Sequence, residues 1–315
     1  MNHEYQPISG FPPFTAAACR LLLGEDAATI KEGRLVVNQT ISGTGANHLG
    51  AVFLHHFYPF PNGEKKIHVT DPSWPNHFAI FKAAGLTPET YPYYDAATRS
   101  LAFDKMMAAL QGLPDGSVVL LHACAHNPTG VDPSESQWRE IANVFAKKRL
   151  FAFFDSAYQG FASGDPAKDA FAVRLFESRG DISMLVCQSF AKNAGLYGER
   201  IGALHVVTGS PEQAQAVNSQ LNLITRSEMS TAPVYGARIV AKILTEPELR
   251  AEWNRNIQTM SQRIIEMRHA LFELLTQRFQ TPGTWNHIVE QTGMFSFLGI
   301  EEDQCQRRVT EGHFY

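Results

Sequence analysis

The sequence is short of positive charge, of cysteine and of long apolar runs, and each shortage excludes something. Lys and Arg number 27 against 31 Asp and Glu, for a net charge of −4 and a pI near 6.3. Such a chain has no broad positive field to gather phosphate backbones, which argues against nucleic acid as a partner. The 4 cysteines, Cys19, Cys124, Cys187 and Cys305, lie far apart. No Cys-x-x-Cys or zinc spacing is possible, so no structural metal is expected, and the usage fits free thiols in a reducing compartment. No stretch approaches the ~18 apolar residues of a membrane span. The start, Met1-Asn2-His3-Glu4-Tyr5, has neither the basic nor the apolar region of a secretory signal. The expectation is a soluble, cytoplasmic chain with no metal and no membrane partner.

What is present is an ordinary globular composition: 315 residues, 44% hydrophobic and 18% charged. That is enough for one large domain or two modest ones. Short apolar runs at residues 35–39, 66–70, 118–122, 150–154, 183–188 and 203–207 read as strands. Their near-continuous apolarity suits a sheet covered on both faces. Amphipathic stretches lie between them; in residues 135–147, Trp138, Ile141, Ala142 and Phe145 recur at helical spacing. Residues 77–84 and 104–110 are similar. Strands alternating with helices predict an α/β domain with a mostly parallel sheet. After about residue 210 the pattern turns helical, at 211–225, 233–244 and one long stretch at 247–279. Residues 287–290 and 294–300 read as strands of a small second domain. The expected organisation is a large domain over residues 1–246, then an interdomain helix and a partial small α+β domain over residues 247–315.

Four segments carry candidate chemistry. In residues 188–202 Lys192 follows an apolar run and is surrounded by small residues and glycines. A desolvated lysine loses its proton easily and can form a Schiff base, although a surface loop lysine fits the same pattern. In residues 151–161 Asp155 ends an apolar strand, where it can hold a protonated ring nitrogen or cap the next turn, and Tyr158 follows as a donor. In residues 120–130 His122 precedes Asn127-Pro128-Thr129-Gly130, at minimum a tight turn. In residues 39–46, Ser42-Gly43-Thr44 suits a phosphate cradle at a helix N-terminus or an ordinary glycine-rich turn. Ser189 and Lys192 also have the Ser-x-x-Lys spacing of penicillin-binding proteins, but Ser-Asp-Asn and Lys-Thr-Gly are both absent.

Taken together and in this order, the segments at 122–130, 154–164 and 188–202 resemble the aspartate aminotransferase family, pyridoxal-phosphate enzymes of fold type I. The likeness runs from His3-Glu4-Tyr5 to His313-Phe314-Tyr315. It implies that Lys192 forms the aldimine with the cofactor and then shuttles the substrate proton. Asp155 would pair with the pyridinium nitrogen, so that the ring can take up carbanion electrons. Tyr158 and Asn127 would hydrogen-bond the ring oxygen, and Trp74 would stack on the ring. Ser42, Gly43, Thr44, Ser189 and Arg200 would hold the phosphate, joined by Tyr5 reaching from the neighbouring subunit of a homodimer. His77 and His122 would stand behind Asp155. Arg226 would cross the dimer to bind the side-chain carboxylate of a dicarboxylic substrate; Trp74 and Asn127 would also touch substrate.

The implied activity is ping-pong transamination between L-aspartate or L-glutamate and 2-oxo acids. Ala194, Gly198, Met229 and Thr231 depart from residues usual in the family. The chain is also shorter than family members at both ends, without the arginine that binds the substrate α-carboxylate. The expectation drawn from that shortness is a weak or inactive enzyme with apolar surface exposed near Phe295 and Phe297. Two alternatives stay open on the sequence: a pyridoxal-phosphate enzyme of changed reaction (elimination, replacement or cyclisation), and an inactive homologue serving as a binding subunit.

Overall fold

The computed structural model describes residues 2–300 and 302–312. The closing segment of the family likeness, His313-Phe314-Tyr315, lies outside the described residues.

The described residues contain nine strands: β1 (Leu35–Ile41), β2 (Lys66–Asp71), β3 (Thr87–Pro92), β4 (Tyr94–Asp95), β5 (Ser100–Leu101), β6 (Val118–His122), β7 (Phe151–Ser156), β8 (Met184–Ser189) and β9 (Ile201–Val207). Seven of them form one sheet in the order β1-β9-β8-β7-β6-β2-β3, and β4 pairs with β5 alone. Within the seven-stranded sheet neighbours are parallel except that β9 runs antiparallel to both β1 and β8; β4 and β5 are antiparallel. The apolar runs are fully buried in β6, β7 and β8, as a sheet covered on both faces requires. One face packs Leu121, Phe154 and Val186 against Trp138, Phe145 and Phe176. The other packs Leu120, Phe153 and Leu185 against Leu49, Phe53 and Phe81. A third cluster, built around Phe14, Phe190, Trp253 and Ile257, ties helices Pro12–Leu23, Tyr235–Thr245 and Pro247–Glu273 to the sheet.

Each of the six strands predicted before residue 210 is present, with edges moved by at most two residues. Strand β3, which carries Pro88 and Pro92, was not expected. It pairs only with β2, at the sheet edge, where a proline without an N–H costs no ladder bond. The helix Pro12–Leu23 was also not expected; Pro12 starts it and Gly24 ends it. The long helix ends earlier than its apolar period suggested. It runs over Pro247–Glu273 and closes in a π-turn, Leu274–Arg278, leaving Phe279 exposed.

The two strands expected after residue 286 are corrected. His287–Glu290 is a single helical turn, and residues 294–300 form no strand. Gly293 and Gly299, at φ +77° and +65°, break the extended path. The carbonyls that a ladder would use accept instead from side chains: Ile288 and Gly293 from Arg268, Phe297 from Gln291. The expected exposure at Phe295 and Phe297 is likewise corrected. Both are half-buried, Phe295 edge-on to Tyr158 and Phe297 edge-on to Tyr94. The exposed apolar side chains in this part of the chain are Met260, Met267, Leu274, Phe279 and Met294.

Among the described residues no helix is long and apolar enough to cross a membrane, and no group of three or more His, Cys, Asp or Glu is placed to hold a metal.

Gly202, on β9, shows how tightly the sheet is joined to the loop that follows β1. A Cβ there would stand 2.5 Å from the Ser42 carbonyl carbon and 2.7 Å from the Gln188 oxygen. Gly202→Ala must therefore displace backbone on one side or the other. It should destabilise the fold by ~1–3 kcal/mol in urea unfolding. Gly198→Ala, which meets nothing within 4 Å, should stay within ~0.5 kcal/mol. Equal effects would contradict the close approach.

Candidate active site

The strand directions explain where the site lies. The parallel strands β1, β2, β6, β7 and β8 all end at one edge of the sheet, and the reversed β9 begins there. Open α/β sheets bind ligands at such an edge. Ser42 follows β1, Ser73 and Trp74 follow β2, His122 ends β6, Asp155 is next to last in β7, Ser189 ends β8, and Arg200 directly precedes β9. A cavity of about 320 Å³ opens at this edge. Its walls include Ser42, Gly43, Thr44, Trp74, His122, Asn127, Asp155, Tyr158, Ser189, Lys192 and Arg200. The residues selected by sequence segment thus converge, although they span nearly 160 positions. Cys124, Ala157, Ala191, Tyr197 and Phe295 complete the wall and were not expected. A sequence signal existed for Cys124, Ala157, Ala191 and Tyr197, which lie inside the chosen segments. None existed for Phe295, which arrives from a distant irregular stretch.

Tyr5 and Arg226 do not line this cavity. Tyr5 is 86% exposed near the N-terminus, and Arg226 is exposed in the last turn of helix Pro211–Glu228. His77 is fully buried and also off the wall; it lies directly behind Asp155.

Asp155 is the electrostatic centre. Its Oδ2 accepts from His77 Nε2 at 2.9 Å, while its Oδ1 is buried with no partner. Burial alone would push the carboxyl up. The hydrogen bond from His77, with His122 and Lys192 close by, outweighs burial and holds it below the ordinary carboxylate value. Behind it runs a chain of hydrogen bonds with one self-consistent direction. Burial, with His77 nearby, pushes His122 down to about 3, so this imidazole is neutral. The Asn127 backbone N–H donates to His122 Nδ1 at 3.3 Å, which puts the His122 proton on Nε2. That Nε2 lies 3.2 Å from Ser73 Oγ and donates to it. The Ser73 hydroxyl proton is then left for His77 Nδ1 at 3.0 Å, and His77 Nε2 donates to Asp155. The network fixes both tautomers and commits one carboxylate oxygen, leaving the other for a donor from the cavity side.

Lys192 is the matching group. Burial lowers its pKa, partly countered by Asp155 and reinforced by Arg200. Its Nζ lies 4.7 Å from the centre of the Tyr158 ring. Burial, helped by the Asp155 charge, raises the Tyr158 phenol well above its ordinary value, so it is a neutral hydroxyl. Asn127 Nδ2 donates to the Tyr158 oxygen at 3.3 Å.

The far end of the cavity is built for an anion. Helix Ser42–Phe57 starts without a side-chain cap, so its first N–H groups have no intrahelical partner. Ser42 adopts φ +59° to turn the chain into that helix. Its Oγ meets Ser189 Oγ at 3.1 Å, and Gly43 leaves the Ser189 side chain room at the turn. Arg200, with φ +54°, has one guanidinium nitrogen on the Tyr197 carbonyl at 3.0 Å. Free N–H groups, hydroxyls and a guanidinium beside a helix N-terminus form a phosphate site. These residues fit pyridoxal phosphate at both ends: the unpartnered Asp155 oxygen suits a protonated ring nitrogen, and the cradle suits a phosphate.

The comparisons agree with this geometry. The family model for aminotransferase class I and II matches residues 1–314. The cytoplasmic aspartate aminotransferase of Saccharomyces cerevisiae is 47% identical over 318 residues, covering 99% of this chain and 75% of that protein. A mitochondrial aspartate aminotransferase from Trypanosoma brucei superposes with a TM-score of 0.96 at 40% identity, over 100% of this chain and 81% of the other. The aromatic-amino-acid aminotransferase of Burkholderia pseudomallei, solved covalently bound to pyridoxal phosphate, gives 0.95 at 42% identity, over 99% and 76%. The chain belongs to the class I and II aminotransferases, with the α/β fold of that family's pyridoxal-phosphate enzymes.

The buried histidines give the fold a pH dependence of defined sign. His205, hydrogen-bonded to Gln188 at 2.9 Å with its Nδ1 unpaired, is pushed by burial down to about 3, as is His122. Unfolded, both protonate near 6.5. Between about 6.5 and about 3 the unfolded chain therefore binds more protons, and stability falls as pH falls, by up to ~1.4 kcal/mol per unit for each histidine. Urea midpoints of the cofactor-free protein should drop steadily from pH 7 to pH 5, with a shallower slope for His205→Gln. A midpoint that stays level across this range would contradict their neutral burial.

Proposed function

We propose that this protein transfers an amino group between L-aspartate or L-glutamate and 2-oxo acids in a ping-pong cycle that uses pyridoxal phosphate. The observation that carries the reading is the pairing, across one cavity, of a desolvated Lys192 with a buried carboxylate whose Oδ1 has no partner. The relatives named aspartate aminotransferase support the choice of substrate.

When bound, the cofactor supplies an electron sink for the negative charge left at the substrate Cα. The cradle of Ser42, Gly43, Thr44, Ser189 and Arg200 holds the phosphate. Asp155 Oδ1 accepts from the ring nitrogen and keeps it protonated, with its own charge steadied by His77. Tyr158 and Asn127 hold the ring oxygen, and Trp74 covers the ring face. Lys192, whose burial favours the neutral amine, takes the Cα proton at Nζ and returns it on the other side of the exchange. Trp74 keeps water from that proton.

The active species in this proposal is a homodimer. Its support is the exposure of Tyr5 and Arg226 away from the cavity of their own chain. Leu223, one turn before Arg226, is also 60% exposed, as an apolar contact waiting for a cover would be. Tyr5 then reaches the partner's phosphate, and Arg226 the substrate's side-chain carboxylate. We place the enzyme in the cytoplasm on the strength of the yeast relative, with the mitochondrial relative as the competing address.

Borohydride reduction of the cofactor-loaded protein followed by peptide mapping should put the pyridoxyl group on Lys192. A label on another lysine overturns the assignment. Asp155→Ala should retain some cofactor and lose most of its rate with aspartate in the single-turnover half-reaction; an unchanged rate would remove Asp155 from the chemistry.

Arg226→Ala should separate substrate classes. A bidentate arginine–carboxylate contact is worth ~1.5–3 kcal/mol, or about tenfold to hundredfold in kcat/KM for aspartate, with little change for an uncharged amino acid. Equal losses on both would make Arg226 structural.

A further inference from the structure

Phe295 stands on the cavity wall although nothing in its own backbone holds it there. Residues 291–297 form neither helix nor strand. Two neighbours hold this stretch from outside. On one side Thr292 docks on the turn that carries Asn127: its N–H donates to the Gly130 carbonyl at 2.7 Å, and its hydroxyl to Asp132 at 3.1 Å. The approach is close enough that a Cβ on Gly293 would lie 2.4 Å from Ala125 Cβ.

On the other side is Arg268, from the long helix Pro247–Glu273. It is 6% exposed, and among the described residues no carboxylate lies within ion-pair distance of it. Its guanidinium instead gathers the stretch. One terminal nitrogen donates to the Ile288 carbonyl at 3.1 Å, to Gln291 at 3.4 Å and to Ser296 at 3.5 Å. The other donates to the Gly293 carbonyl at 3.0 Å and to the carbonyl of Phe295 itself. Burying a cation without a counter-charge is costly, and fixed carbonyl dipoles are the only compensation on view. The consequence is geometric. The carbonyls must converge on the guanidinium, so the path of residues 288–296 is set by Arg268. That path delivers the Phe295 ring edge-on to Tyr158, at 5.5 Å between centres.

We propose that Arg268 is a positioning residue for the catalytic cavity: it acts through Phe295, fixing the wall that packs on Tyr158, and so sets how well the amino-acid substrate is bound. The four terminal N–H groups of the planar guanidinium span this set of acceptors, Nε staying unpaired, which a lysine ammonium with three donors cannot do. The kinetic part of the proposal rests on the transaminase reading; the structural part does not.

The test uses Arg268→Met, Arg268→Lys, Phe295→Ala and the double variant Arg268→Met/Phe295→Ala, with two independent readouts. The first is hydrogen exchange of the Thr292 and Phe297 amides, whose partners are Gly130 O and Gln291 Oε1, in both cofactor-free and loaded protein. Arg268→Met should speed their exchange about tenfold or more while the amides of β6 and β7 keep their protection. The second is steady-state kinetics with aspartate. A wall displaced by about 1 Å should raise KM ~10-fold or more, with kcat changed less than about threefold and the cofactor absorption band unmoved. Phe295→Ala should reproduce the KM change, the double variant should be no worse than the more impaired single variant, and Arg268→Lys should recover part of it.

Unchanged exchange in Arg268→Met would overturn the hold on this stretch. KM effects that multiply in the double variant, or a parallel loss of kcat, KM and β-strand protection, would overturn the route through Phe295. Should Arg268→Met fail to fold, Arg268→Lys carries both readouts with the same criteria. If the unaltered protein turns over no amino acid at all, the transaminase reading fails, and the exchange experiment still decides what Arg268 holds.

Discussion

A carboxylate buried with half its hydrogen-bonding capacity uncommitted is the constraint around which this site is organised. Asp155 is 7% exposed and ends an apolar strand, where an isolated charge is strongly disfavoured. The charged form survives because His77 donates to one oxygen and Lys192 shares the cavity. Behind that bond, Ser73 donates to His77 Nδ1 and accepts from His122 Nε2. His122 is held in the required tautomer by a backbone N–H beyond reach of titration. A chain of hydrogen bonds thereby orients the buried carboxylate. The oxygen left over belongs to a residue that lines the cavity and has no partner within the protein.

The same reasoning shows why the sheet needs a reversed strand. Parallel strands bring their carboxyl ends to a common edge, which accounts for Ser42, Trp74, His122, Asp155 and Ser189. An arginine at the start of a strand would be carried to the opposite edge if that strand were parallel to its neighbours. Because β9 is antiparallel to β1 and β8, its first turn lies over the cradle, and Arg200 joins residues from the other strands' ends. The Ser42 backbone N–H donates to the Arg200 carbonyl at 3.0 Å. The two sides of the anion site are therefore one hydrogen-bonded unit.

What could be read from the sequence follows from the same division. Buried strands such as β6, β7 and β8 carry an unbroken apolar signal, and the functional residues at their ends inherit its position. The edge strand β3 carries no such signal, because a strand with one neighbour tolerates Pro88 and Pro92. The stretch after residue 286 misled for a different reason. Ile288, Val289, Phe295 and Phe297 have the composition of strands, but their backbone is satisfied by Arg268 and Gln291 rather than by another strand. Side-chain capture of carbonyls leaves no periodicity to read. His77 was found through a family likeness and not through its pattern, which is that of any apolar-face histidine; its role becomes physical only when Asp155 is seen 2.9 Å away.

The site thus combines two kinds of support. The residues at the strand ends rest on a sheet whose strands bury every side chain in β6, β7 and β8, and sheet cores are the last parts of a protein to open. The wall at Phe295 rests on an irregular stretch held by one guanidinium and one turn. Asp155, Tyr158, Ser189 and Lys192, proposed above to hold the cofactor ring, come from the first kind or lie within a few residues of it. The wall at Phe295 comes from the second. A rigid floor with a separately tethered wall lets the pocket change without disturbing the charge balance at Asp155, since no atom of Arg268 takes part in the hydrogen-bond chain that runs from Asn127 to that carboxylate.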